Sequence, residues 1–533
     1  MWPRVFGLFA VAAFSQLLGA APLSAIDCGP TRNDCAAYYI GHHDLAAAIE
    51  ILQQELQQSP QNLKALNLMG IALTESGRVE GANRRFRQAL ALDGSFYPAR
   101  KNLAINEFHL HHLQDAESNL MRVLQAVPSD AIAHIYLGEI SFEKKEYATA
   151  VRNYDKAGSR ISTNSAWTLH YAQSLVAGGQ IARANTVLQT LPPNDGESRF
   201  QGGLILGRAG AYANAAAFFS SARKTCNDSY VAGYDQLLML IRAQSYPEAI
   251  KLFDQLVSEG LGHAALYNLV SEAYLKAGGL KQAYDSLRTA TNLDPKAEDN
   301  YVDLVALCLD DQDYDLALEI SDIGIHYVPS SYRLYVQRGF TLVMKGRAED
   351  AEKEFELASQ IAPDRSLPYI ALGEAWMQVG RAQKAADMLR EKSKLPEADF
   401  LLPYVLAEAL IRSGAEAGTP AIEEAIRALE QSIRLNAKFA RSHAELGKLL
   451  LKQGDVDHSI PELKIATELD ANDSGPFYQL GQAYRKKGKK DEAEEMLARV
   501  AQLHSPEHEL DVNRELRRLV KQDTAPSEPE VKP

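Results

Sequence analysis

Three histidines crowd the segment Phe108-His109-Leu110-His111-His112, and imidazole is the commonest side-chain ligand for metals such as zinc. His109 and His112 are three residues apart, so a helix would bring them to one face. A closed tetrahedral site needs further ligands, and the sequence fixes neither a carboxylate nor a fourth donor beside them. The stretch also coincides with a turn, where solvated polar residues are expected, and His42-His43 occupies the equivalent turn nearer the N-terminus. No metal or cofactor is assigned. His508-Glu509 opens like the H-E-x-x-H motif of zinc proteases, but Val512 stands where the second histidine is required. Gly481 and Gly488-Lys489 are too widely spaced for a phosphate-binding loop, and there is no G-x-S-x-G, C-x-x-C or G-x-G-x-x-G. The chain reads as non-enzymatic.

Composition narrows the class further. The 533 residues are 46% hydrophobic and 23% charged, with a formal charge of −13, which suits a folded protein. Nucleic-acid binding requires clustered Lys and Arg against phosphate, and no such cluster appears. At the N-terminus Arg4, the apolar run Val5 to Ala13 and small residues leading to Ala20 and Ala25 form a secretory signal, with cleavage expected after Ala25. The run is short and interrupted by Ser15, Gln16 and Gly19, so it does not read as a membrane span; no later segment does either. The expected address is outside the cytoplasm, in the periplasm or the medium. Cys28 and Cys35 follow the cleavage point. An oxidising compartment permits a disulfide between them, while Cys35 as a small buried apolar residue is the alternative. Cys226 and Cys308 fall in different repeats and are expected to be unpaired.

The elements that must position any site are set by a period of 34. Gly70 precedes Ala82 by twelve residues, and the same spacing joins Gly138 to Ala150, Gly203 to Ala215, Gly339 to Ala351, Gly373 to Ala385 and Gly481 to Ala493. A fixed period of this length denotes a stack of helical hairpins. Residues 474–507 carry Phe477, Leu480, Gly481, Tyr484 and Ala493. Residues 63–96 carry Leu66, Met69, Gly70, Leu73, Ala82, Phe86 and Ala89. Residues 332–365 carry Gly339, Ala351, Phe355, Ala358 and Pro363, with Arg338 where a leucine is usual. On these residues the chain resembles the tetratricopeptide repeat family, whose pattern is W-x2-L-G-x2-Y, then A-x3-F, then P. The resemblance implies an all-α, right-handed superhelical solenoid of antiparallel hairpins. About 14 units tile the chain, beginning near residues 29, 63, 97, 131, 165, 196, 230, 264, 298, 332, 366, 400, 440 and 474. Within a hairpin, the small residue at position eight is expected to face the Ala at position twenty, as Gly373 with Ala385.

The expected organisation is a signal at 1–25, a degenerate first repeat or cap at 26–62, repeats at 63–195 and 196–412, an insertion at 413–421, and repeats at 422–504. A capping helix at 505–522 and a disordered tail at 523–533 complete it. Leu191-Pro192-Pro193-Asn194-Asp195-Gly196 breaks the register, either as a degenerate repeat boundary or as a hinge.

The resemblance places partner binding in a concave groove lined by first helices. Carried over by register, its outward positions include Asn67, Lys101, Phe108, Glu139, Phe142, Arg208, Asn268, Glu272 and Lys276. Aromatic, amide and charged groups together suit an extended peptide. The Lys/Asn carboxylate clamp of some family members does not recur, and neither does the asparagine ladder of its sugar-transferase members. The expected function is a non-enzymatic extracytoplasmic scaffold for a protein or peptide partner, in envelope assembly or export. The alternative is an accessory subunit of an envelope enzyme complex such as polysaccharide synthesis, and an enzyme with an unrecognised site ranks below both.

Overall fold

The repeat period appears in space as antiparallel helix pairs. The structure, a computed structural model, describes residues 28–395, 398–414, 416 and 418–503; the expected signal, capping helix and C-terminal tail lie outside them. The described residues form 28 α-helices and no strand. The chain divides into two compact units, the first ending at Leu261 and the second starting at Gly262.

The N-terminal unit holds seven hairpins: α1 (Arg32–Gly41) with α2 (Leu45–Gln58), α3 (Leu63–Glu75) with α4 (Val79–Leu92), α5 (Tyr97–His109) with α6 (Leu113–Ala126), α7 (Ala131–Glu143) with α8 (Tyr147–Ala157), α9 (Ser165–Ala177) with α10 (Ile181–Leu188), α11 (Gly196–Arg208) with α12 (Tyr212–Ala222), and α13 (Ser229–Arg242) with α14 (Tyr246–Ser258). The C-terminal unit holds seven more: α15 (Ala264–Lys276) with α16 (Leu280–Leu293), α17 (Glu298–Asp310) with α18 (Tyr314–Tyr327), α19 (Tyr332–Met344) with α20 (Ala348–Ile361), α21 (Ser366–Gln378) with α22 (Ala382–Lys392), α23 (Leu401–Arg412) with α24 (Pro420–Leu435), α25 (Ala440–Gln453) with α26 (Val456–Leu469), and α27 (Ser474–Lys486) with α28 (Lys490–Leu503).

Local chemistry sets the ends of these helices. Asn62, Asp130, Asp195, Asp228 and Ser331 precede first helices and accept a hydrogen bond from a first-turn amide, so each start is capped. The turn inside each hairpin needs one residue with positive φ. Gly346, Gly380, Gly454 and Gly488 supply it at no steric cost. His43 and His111 take the same conformation at the same register position, with φ of 61° and 57°. His111 therefore serves as a turn residue, its ring 3.8 Å from Glu143. Among the described residues no group of three His, Cys, Asp or Glu side chains is arranged to hold a metal ion.

Packing inside a hairpin differs from the expected pairing. A Cβ on Gly373 would meet Leu389, sixteen residues on, rather than Ala385. The same offset recurs at Gly70–Phe86, Gly138–Tyr154, Gly203–Phe219 and Gly339–Phe355. The glycine is the floor on which the large residue of the second helix lies, and the alanine at position twenty is buried beside it: Ala82, Ala150, Ala215 and Ala385 are all fully buried.

Within each unit successive first helices touch, α1 to α3 through α9 to α11 in the N-terminal unit and α15 to α17 through α21 to α23 in the C-terminal unit. Successive second helices make no comparable contact among the described residues. First helices therefore line the inner side of the bend in each unit. Cys28 and Cys35 are joined by a disulfide, with Cα atoms 4.5 Å apart; Cys226 and Cys308 are free. The Leu191–Gly196 segment is tied down, since Arg199 donates to the carbonyls of Leu191 (2.8 Å) and Pro192 (3.0 Å) and Ser165 donates to Asp195 (2.7 Å).

Candidate functional site: the inner face of the first helices

The nine positions expected to line the groove fall in both units. Asn67, Lys101, Phe108, Glu139, Phe142 and Arg208 belong to the N-terminal unit, and Asn268, Glu272 and Lys276 to the C-terminal unit. Arg208, Glu272 and Lys276 are exposed. Asn67 accepts from Asn102 Nδ2 (3.0 Å), and Asn268 donates to Asp303 (2.9 Å), so both amides bridge neighbouring first helices. Lys101 donates to Asp130 (2.7 Å), the residue that also caps α7 through the Ala133 amide (2.9 Å). Burial works against ionisation of Asp130, but these two hydrogen bonds overcome it and hold the carboxyl below its ordinary range.

Glu139 departs most from expectation. It points inward, only 6% exposed, and is not a free groove-lining charge. One carboxylate oxygen accepts from Tyr154 Oη (2.7 Å) and the other from His170 Nδ1 (2.8 Å). Tyr154 lies on Gly138, fully buried, and burial together with the Glu139 charge pushes its phenol far above the ordinary value, so it remains a donor. Phe142 is half-buried and stacks on the His170 ring, centroids 4.3 Å apart at 14°. Phe108 meets Tyr136 edge-on at 5.3 Å, and Tyr136 in turn meets Trp167 at 6.2 Å.

The sixth positions of α5, α7 and α9 hold a ladder of Asn102, Tyr136 and His170, spaced 34 apart; Asn102 and His170 are partly exposed, whereas Tyr136 between them is buried, its Oη 3.4 Å from His109 Nε2. The signal was available in the register. The positions expected to line the groove are the fifth, ninth, twelfth and thirteenth of each repeat, whereas the ladder occupies the sixth. Phe108 and Phe142 flank this ladder, and its polar atoms offer both hydrogen-bond donors and acceptors.

Comparison with known proteins identifies tetratricopeptide repeats at residues 101–162, 422–474 and 476–503. The first of these spans covers α5 from Lys101 onward, α6, α7 and α8, and so Asn102 and Tyr136 of the ladder with Phe108, Glu139 and Phe142 beside them; His170 lies beyond it. No curated protein sequence matches the chain. Among solved structures, yeast Tom70 is similar at 15% identity, covering 88% of this chain and 97% of its own, with a TM-score of 0.39. The Cut9 assembly with Hcn1 from the APC/C is similar at 14% identity, covering 92% and 96%, with a TM-score of 0.35. MamA of Desulfovibrio magneticus RS-1 is similar at 20% identity over 32% of this chain and 94% of its own, with a TM-score of 0.29. Likeness at this level says nothing of what this chain binds. Repeats of this build are interaction scaffolds for protein or peptide partners, and no helix among the described residues is long and apolar enough to cross a membrane.

Proposed function

We propose that this chain is a non-enzymatic, extracytoplasmic scaffold that holds an extended segment of a partner protein against the inner face of α5, α7 and α9. The observation that carries the reading is the pair of partly exposed polar side chains Asn102 and His170, set on either side of buried Tyr136 and flanked by the partly exposed rings of Phe108 and Phe142. Amide and imidazole groups take main-chain partners, while aromatic rings supply the anchoring area that dominates peptide interfaces. The Cys28–Cys35 disulfide supports export, because such bonds persist in oxidising compartments. A place in envelope assembly or export is consistent with that address.

The test is site-specific photo-crosslinking in the native host. A crosslinker at Asn102 is expected to trap one discrete partner, and one at exposed Arg152 on α8 is expected to trap none. Equal trapping from both positions would remove the inner face as the binding surface. N-terminal sequencing of the native protein tests the address, with a chain starting after Ala25 expected and an intact Met1 counting against it.

A further inference from the structure

Glu374 in α21 and Glu408 in α23 hold the ninth position of successive repeats, 34 residues apart. Where these two first helices touch, their carboxyl groups lie within hydrogen-bonding reach of each other. Glu374 is 8% exposed and the Glu408 side chain 17%. Glu374 Oε1 and Glu408 Oε2 are sealed from solvent, and neither meets a donor among the described residues. Glu139, at the same position of its own repeat, is buried too, but Tyr154 and His170 supply its donors. The pair in α21 and α23 has less. Tyr404 Oη donates to Glu408 Oε1 at 3.3 Å, and the Arg412 guanidinium stands 4.0 Å from the same oxygen. Arg441 and Glu445 face the pair from α25. Charges on the other packed elements are turned to different partners: Arg338 of α19 to Glu354 of α20, Glu352 of α20 to Arg381, and Arg390 of α22 to Glu424 of α24.

A buried carboxylate oxygen without a donor is costly, and two adjacent carboxylates also repel. One proton relieves both. It turns one carboxyl into a donor to the other and leaves a single negative charge near Arg412 and Arg441. Burial, and then the Glu408 charge, push the Glu374 carboxyl up to about 8. Burial also raises Glu408 above the ordinary value, against the pull of Arg412. The two titrate as a unit that keeps one proton across neutrality.

We propose that Glu374 and Glu408 form a pH-sensitive latch between two hairpins of the C-terminal unit, closed while the carboxyls share one proton and released when it is lost. This is independent of what binds the inner face of the N-terminal unit. When the joint opens, both carboxyls meet water and regain the ordinary value of about 4.5, so between there and about 8 the closed joint binds one proton more than the open one. Closure is therefore fully favoured below about 4.5 and is lost as pH rises through about 8. Within that window each pH unit raises the open-to-closed ratio by up to about tenfold.

Two measurements on the whole chain test it. Infrared titration is expected to show a protonated-carboxyl band at about pH 6.5 that fades as pH passes about 8. The band is expected to be missing from Glu374→Gln and from Glu408→Gln, since each amide gives the remaining carboxylate a donor and removes the like charge. If one variant misfolds, the other assigns the band; its absence from the unmodified chain overturns the inference outright. The second measurement is hydrogen exchange in α21, corrected for the intrinsic rate; α23 separates this helix from His443 of α25. Exchange is expected to quicken by up to about tenfold per pH unit from about pH 6 to about 8 and then to level off. Glu408→Gln is expected to flatten that slope, which a side chain that only fills space would not do. A slope that survives in both Gln variants overturns the latch.

Discussion

A Cβ placed on Gly70 would stand 2.2 Å from Cε1 of Phe86, sixteen residues along in the partner helix. Phe86 is 1% exposed, so its ring has nowhere to go. Gly70→Ala gains helix propensity worth up to about 1 kcal/mol, but overpacking a filled contact costs about 1–3 kcal/mol, and the clash should win. At Gly481 the new Cβ would lie 3.3 Å from Leu497, a partly exposed side chain able to shift. Gly481→Ala is therefore expected to be neutral or slightly stabilising. Urea denaturation of the two single variants checks the contrast, and equal losses would show that the glycine's close approach is not what the hairpin depends on.

That offset also marks where sequence reading stops. The 34-residue period made the hairpins legible, because small residues in fixed register leave few other ways to bury an apolar face. Which residue covers Gly373 was not legible: Ala385 and Leu389 are one helical turn apart on the same face, and only the crossing of α21 and α22 selects Leu389. Glu139 is the harder case. Its position normally faces the groove, and what turns it inward is a pair of donors, Tyr154 in α8 and His170 in α9, the latter 31 residues away in another hairpin. Tyr154 belongs to the same repeat, but His170 belongs to the next, and a periodicity that treats repeats one at a time does not show it.

Phe142→Ala now carries a different expectation from the one register alone suggests. The ring stacks on His170 and meets Tyr147 edge-on at 6.0 Å, bridging α7 to both α8 and α9. Removing it should lower stability by about 1–3 kcal/mol, below the cost for a fully buried Phe because this one is half-buried. Thermal unfolding and partner capture measured on the same variant are both expected to fall. An unaltered melt with intact capture would remove Phe142 from packing and binding alike.

The Cys28–Cys35 disulfide closes a loop of seven-residue separation ahead of α2. A loop this short still restricts the unfolded chain, and the expected contribution is about 2–3 kcal/mol. In a repeat array that loss stays local, since each hairpin is supported by its neighbours. Cys28→Ser with Cys35→Ser is expected to speed hydrogen exchange in α1 and α2 and to leave α7 to α14 unchanged. Faster exchange along the whole chain would mean that the terminal hairpin holds the array together, contrary to nearest-neighbour stability.

His443 supplies a pH dependence confined to one hairpin. Its side chain is 5% exposed, with Nδ1 2.6 Å from Glu462 Oε2 and Nε2 3.1 Å from the Ala437 carbonyl. Both ring nitrogens face acceptors, so the doubly protonated ring fits the site. The Glu462 hydrogen bond is the main cause that raises its pKa above the ordinary histidine value, against the opposing effect of burial and with help from the Ala437 carbonyl. A pKa higher in the folded than in the unfolded state adds stability that is fully present below the unfolded value, about 6.5. That stability disappears as pH rises through the folded value. Hydrogen exchange in α25 and α26 should therefore accelerate as pH climbs above neutrality, after correction for the intrinsic rate, while distant hairpins keep their protection. Glu462→Gln removes the largest cause of the shift and should flatten this dependence. A slope unchanged in Glu462→Gln would assign the pH sensitivity to another group.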